Sequence, residues 1–234
     1  MIETGMQRFD KFLGGGIKKG SNIIFIGPPM SGKEVILNQI MYHAAAKNNN
    51  AVITVNTYEP GNRILEWFKE NKLVLPESRI GIVDCITKMI GREVDDDENI
   101  KIVSSPVDLT DIGVKISQFF EIFSFRKNIR KTQLYINSLS TLLMYSNLKT
   151  VFRFLYVFTG RIKAAGGLGI YVLESGIHDV QVIATLNQLF DGVIEVKSEN
   201  DKNFIRIMGI SPKPSPWLEY EIDGANVRIQ GRIA

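Results

Sequence analysis

Residues 27–34 read GPPMSGKE. A glycine, four residues and then Gly-Lys is the spacing of a loop whose backbone N–H groups converge on phosphate oxygens. The N-terminus of the following helix adds positive potential, and the lysine adds a mobile charge. Gly27, Pro28, Pro29, Met30, Ser31, Gly32, Lys33 and Glu34 are therefore the candidate cofactor-binding residues, with ATP or ADP as the candidate ligand. Pro28 and Pro29 have no N–H to offer, but they fall early in the loop, where fewer donors are needed. The departure is the last position. The pattern ends in Ser or Thr, whose hydroxyl ligates magnesium, and this chain has Glu34. A carboxylate is also a hard oxygen ligand and can hold a metal. Without a metal between them it repels phosphate, by roughly 4 kcal/mol per charge pair at about 4 Å and an effective dielectric near 20. That term counts against Mg2+ as a cofactor. Glu34 can instead pair with Lys33 and occupy the phosphate's place, or simply suit the first turn of a helix.

Such a loop works only between an apolar strand and a helix. "SNIIFIG" supplies the strand, and "KEVILNQIMYHAAAKN" supplies a helix with Ile36, Ile40, Met41 and Ala44 on one face. The alternation continues. "AVITVNT", "RIGIVDCI", "QLYIN", "LGIYVLES" and "GVIEVKS" read as buried strands, with helical patterns between them. One of these helices is expected to start at Thr110 or Asp111, and another to end at Gly166 or Gly167. Residues 91–111 are the least regular part and read as a surface excursion. Beyond residue 202, "NFIRIMGIS" and "WLEYEIDGANVRIQGRI" alternate as antiparallel strands, with Asp223-Gly224 as a hairpin turn. The expected architecture is α/β: a mostly parallel, twisted sheet flanked by helices and extended by C-terminal antiparallel strands. No linker divides it, so residues 1–234 are expected to form a single domain.

The stretch "RFDKFLGGGIKKGSNIIFIGPPMSGK" resembles the start of RecA-superfamily ATPases of the KaiC-like and RadA-paralogue group. "FDGVIEV" is similar to a later strand of that family, and "YEIDGANVRIQGR" resembles the closing hairpin of its single-domain archaeal members. The resemblance covers nearly the whole chain. It implies a RecA-like P-loop core, ATP bound between subunits and assembly as a homo-oligomer.

Taken position by position, the resemblance exposes departures. The acidic residue that holds magnesium through water in the family is matched by Asn137, which can hydrogen-bond a metal-bound water or simply end a strand. A Glu-Glu pair whose first member activates the attacking water is matched by Tyr58-Glu59. A phenol with pKa near 10 is a poor base at neutral pH. Glu59 is then the candidate catalytic residue, or an exposed loop carboxylate. The segment that carries cations to a neighbour's nucleotide is matched by "GISPKPS", with Gly209 and Ser211 at the cation positions and Lys213 offset. Metal, positioned water and counter-charge belong to one mechanism. Their joint loss implies a pseudo-ATPase with weak or no nucleotide binding and a regulatory or structural role, partnered with its own copies or with an active paralogue. The alternatives are an active ATPase using Glu34 and Glu59 in unusual roles, and a DNA-associated accessory protein.

Other features are less telling. With 234 residues, net charge +3 and a hydrophobic content of 44%, the chain is ordinary for a soluble domain. The lone Cys85 cannot form an internal disulfide and fits a reducing compartment. No apolar run approaches the roughly 20 residues of a membrane helix. A cytoplasmic location without membrane association is expected. "DDDE" at 95–98 lacks the spacing of a calcium loop and reads as a solvated acidic loop. His43 and His178 do not have zinc-site spacing. "RKNIRK" (126–131) is a basic cluster for nucleic acid or a solvated helix end. "FFEIFSF" reads as core or subunit interface, and Trp217 as an interface anchor or a buried strand residue.

Overall fold

The structure is a computed structural model that describes residues 1–210 and 214–230. In chain order the elements are α1 (Gln7–Phe12), β1 (Ser21–Gly27), α2 (Lys33–Tyr42), β2 (Ala51–Asn56), α3 (Asn62–Glu70), β3 (Ile80–Asp84), β4 (Ile100–Ile102) and α4 (Leu109–Glu121). They continue as β5 (Thr132–Ile136), α5 (Leu139–Tyr145), α6 (Leu148–Ala165), β6 (Leu168–Glu174), α7 (Val180–Asn187), β7 (Gly192–Glu199), β8 (Lys202–Met208), β9 (Leu218–Asp223) and β10 (Asn226–Ile229). All ten strands share one sheet in the order β10-β9-β8-β7-β1-β6-β5-β2-β3-β4. From β7 to β4 every pairing is parallel; β7–β8, β8–β9 and β9–β10 are antiparallel.

The inner strands are apolar on both sides because helices cover both faces, as a parallel sheet requires. On one face Ile36, Ile40 and Met41 of α2 and Phe68 of α3 pack with Ile23, Phe25 and Val52. On the other, Ile116 of α4 and Leu155 and Ile162 of α6 pack with Ile24, Ile53 and Leu134. The expected α2 stripe of Ile36, Ile40, Met41 and Ala44 is buried.

Several boundaries differ from the sequence reading. The excursion at 91–111 contains the edge strand β4, three residues that pair in parallel with β3 and are too short to show an alternation. The acidic run beside it is partly structural. Asp97 Oδ1 accepts from Asn99 N at 2.7 Å and Ile100 N at 2.5 Å, and Asp96 Oδ1 accepts from Ile102 N at 2.7 Å. The N-cap of α4 is Asp108, not Thr110 or Asp111: its carboxylate accepts from Asp111 N at 2.9 Å. The short helices α1 and α5 carry too little periodicity to be read. Helix α6 ends at Gly166, whose φ of +62° favours glycine, and Gly224 turns the closing hairpin at φ +59°. Of the FFEIFSF run, Phe119 and Phe123 are core and Phe125 is exposed. Trp217 is half-buried, with the Arg206 guanidinium 4.4 Å from its ring centroid.

Candidate functional site

The loop lies at the carboxyl end of β1, in the middle of the sheet, where the sequence pattern puts it. Gly32 adopts φ +75° and opens α2 without a side-chain cap. A β-carbon at Gly32 would stand 2.0 Å from Ile222 Cδ1, so β9 lies directly against the loop. Tyr220, two residues earlier on β9, donates from its buried hydroxyl to Ser31 O at 2.5 Å. The C-terminal hairpin continues along α2, where Val227 N donates to Gln39 Oε1 at 2.6 Å.

Lys33 is 1% exposed. Its ammonium donates to Pro28 O at 3.0 Å and lies 2.9 Å from Glu174 Oε2 and 3.3 Å from Glu34 Oε1. Ser31 Oγ donates to the same Pro28 carbonyl at 2.8 Å. The ammonium of the loop lysine is thus held by two carboxylates and a loop carbonyl. Sequence reasoning anticipated Glu34 and missed Glu174. The available signal was a carboxylate closing the apolar run of β6 next to β1, at the strand ends where open α/β sheets place ligands. Met30 takes φ +58° with its side chain 97% exposed, and contributes nothing to the interior.

The remaining predicted residues line a cavity of about 270 Å³ beside the loop, between α2, β2 and α3, which brings together Glu34, Tyr58, Glu59 and Asn137. Asn137 is hydrogen-bonded through both ends of its amide. Its Oδ1 accepts from Thr57 N at 3.1 Å and Thr57 Oγ1 at 3.2 Å, and its Nδ2 donates to Asn56 Oδ1. It ties the end of β5 to the end of β2 and leaves little for a metal-bound water. The segment carrying Tyr58 and Glu59 is anchored from below by Asp84, buried at the end of β3, which accepts from Gly61 N and Thr87 Oγ1, both at 2.6 Å. Partial burial, with Glu59, Glu34 and Glu174 around it, pushes the Tyr58 phenol above its usual range, away from any use as a base. Burial also raises the Glu59 carboxyl, opposed by Arg63 and reinforced by Glu34.

Glu34, where the motif has a hydroxyl, is paired with Lys33; Asn137 is hydrogen-bonded to Thr57 and Asn56; and the loop is braced by β9. Among the described residues no group of three His, Cys, Asp or Glu could hold a metal ion. Of the segment matched to the neighbour-reaching cations, Gly209 forms a turn at φ +83°, whereas Ser211 and Lys213 lie outside the described residues. His43 contacts Glu3 at 3.2 Å and His178 contacts Ser140 Oγ at 2.8 Å, and neither reaches the loop. Burial pushes the Cys85 thiol well above its usual range, with Asp84 and Asp111 adding to the effect. No described helix is long and apolar enough to cross a membrane.

Comparison with known proteins bears on the fold. A family model described as "Family of unknown function (DUF7504)" matches residues 20–196. No curated protein matches. Among solved structures, the KaiC-like protein PH0186 from the hyperthermophilic archaeon Pyrococcus horikoshii OT3 is 18% identical, with a TM-score of 0.69 over 98% of each chain. The fold is therefore the RecA-like α/β fold of that KaiC-like protein.

Proposed function

We propose, from the premise that the chain belongs to the family of unknown function DUF7504, that it is a pseudo-ATPase. It keeps the RecA/KaiC-like core and the shape of the phosphate loop, but serves as a regulatory or structural component rather than as a motor or hydrolase. The observation that carries this reading is the placement of Lys33 between Glu34 at 3.3 Å and Glu174 at 2.9 Å. Binding a triphosphate there requires both carboxylates to leave the ammonium, or requires the phosphates to be held against them. Either route costs several times the energy of an ordinary ion pair at partial burial. A protein that only holds its fold can still assemble. Its partners on this reading are copies of itself or an active relative of the same fold, in the cytoplasm.

The test is nucleotide binding and turnover by the pure protein. We expect no ATP hydrolysis above the level of Lys33→Ala, and no thermal stabilisation by Mg-ATP or Mg-ADP. Hydrolysis by the native chain that Lys33→Ala abolishes would overturn the reading.

A further inference from the structure

The cavity beside the phosphate loop contains a polar group with no partner. Thr54 is fully buried, and among the described residues its Oγ1 makes no hydrogen bond. It sits on β2 two residues after Val52, which packs in the core against α2 and α3, so its side chain projects to that same face and into the cavity it lines. A buried hydroxyl without a partner is unfavourable in the ligand-free fold. A site that keeps one has a use for it.

The rest of the lining says what would satisfy it. Leu37 and Met41 of α2 and Ile64 and Trp67 of α3 give the cavity an apolar wall. Its charged residues are Glu34, Glu59 and Glu70 against Arg63 alone. Arg63 is already paired with Glu66 at 2.5 Å. Glu59 and Glu70 form no hydrogen bond or ion pair among the described residues. Oxygen acceptors and an excess of carboxylates over cations therefore face an apolar wall in a space of about 270 Å³, near the small end of ligand pockets.

From this arrangement we infer that the cavity is a binding site for a small aliphatic ammonium compound. Its cationic head is taken by Glu59 and the Thr54 hydroxyl, and its apolar stem by Leu37, Met41, Ile64 and Trp67. The inference does not depend on whether the phosphate loop is closed, and it is tested without nucleotide.

The probe is n-butylammonium chloride, titrated calorimetrically into the full chain at fixed ionic strength, with n-butanol and sodium butyrate as isosteric neutral and anionic controls. Saturable binding of the ammonium alone is expected. Glu59→Gln and Thr54→Val should each weaken it about tenfold. Thr54→Val should at the same time raise the melting temperature of the ligand-free protein, by about 2–4 °C, because it removes the unpartnered hydroxyl. A residue with only a structural role would not produce that opposite pair of effects. The inference is overturned if butylammonium produces no saturable heat, if butanol binds as tightly, or if both variants bind like the native chain. Should Thr54→Val fail to fold, Glu59→Gln, changed at a half-exposed position, still decides the question.

Discussion

Lys33 opens α2 and Thr54 lies on β2, and their surroundings are opposite. Three oxygens crowd the Lys33 ammonium, while the buried Thr54 hydroxyl has no hydrogen-bond partner among the described residues. A polar group whose partners all come from its own chain is finished as structure, and a ligand must compete with the fold to use it. A polar group with no internal partner is unfinished, and a ligand completes it. On the proposed reading, the contrast separates a phosphate loop closed by its own side chains from a cavity beside it that a ligand can complete.

The closure can be broken at its centre. Lys33→Ala leaves Glu34 and Glu174 facing each other without a counter-charge, at a position the native chain buries. Breaking such a pair by removing one partner typically costs about 3–5 kcal/mol. We place this loss near 3 kcal/mol, because Glu34 is 47% exposed and can turn to solvent. Urea unfolding measures it. A loop lysine that merely awaits phosphate would show almost no loss, and such a result would erase the contrast.

The closure can also be undone while the lysine is kept. Glu34→Thr restores the hydroxyl of the motif, and Glu174→Gln removes the second carboxylate. The double variant should gain a nucleotide-dependent stabilisation of about 2.7 kcal/mol at a ligand concentration one hundred times its dissociation constant. The native chain should gain none. Thermal unfolding with and without Mg-ATP decides. Equal shifts in both proteins would mean that the carboxylates are bystanders.

The brace from β9 is a smaller effect. Tyr220→Phe removes the hydrogen bond to Ser31 O and leaves a buried carbonyl short of a donor, at a cost of about 1.5 kcal/mol. If the hairpin helps to hold the loop, the same variant exchanges the loop amides faster in hydrogen exchange. If only global stability falls, β9 is packing and nothing more.

How much of this was legible beforehand depended on the length of the contacts. The phosphate loop, the α2 stripe and the Asp223-Gly224 hairpin were readable because each depends on residues close in sequence. Glu34 against Lys33 was readable for the same reason. Glu174, 141 positions beyond Lys33, reaches it only because β6 pairs with β1. Tyr220 reaches Ser31 only because β9 folds back over the loop. The orphaned Thr54 hydroxyl could not be read at all, since an absent partner leaves no mark in a sequence. Asn137 was placed at the right strand end, and its hydrogen bonds to Asn56 and Thr57 appear only once β5 lies beside β2. β4 was missed because three residues at a sheet edge, stapled by aspartates, carry no period.

Those aspartates calibrate the comparison, because they are as well partnered as Lys33 but stand at the surface. Asp96 accepts from Lys115 Nζ at 2.7 Å and from Ile102 N at 2.7 Å, with Lys101 at 3.7 Å. Its partial burial opposes ionisation, but the hydrogen bonds and the two ammonium groups outweigh it and hold the carboxyl below its usual range. A carboxyl depressed in the folded state stabilises the fold above its unfolded pKa, near 4, and that contribution is lost as pH falls through the lower folded value. Asp96→Asn should therefore cost about 0.5 kcal/mol at pH 7, with the difference from the native chain shrinking below about pH 4. Chemical denaturation at pH 7 and pH 3 measures both numbers. If the surface variant cost as much as Lys33→Ala, the number of partners alone would set the energy. A several-fold gap would show that burial is what turns the Lys33 cluster into a lock.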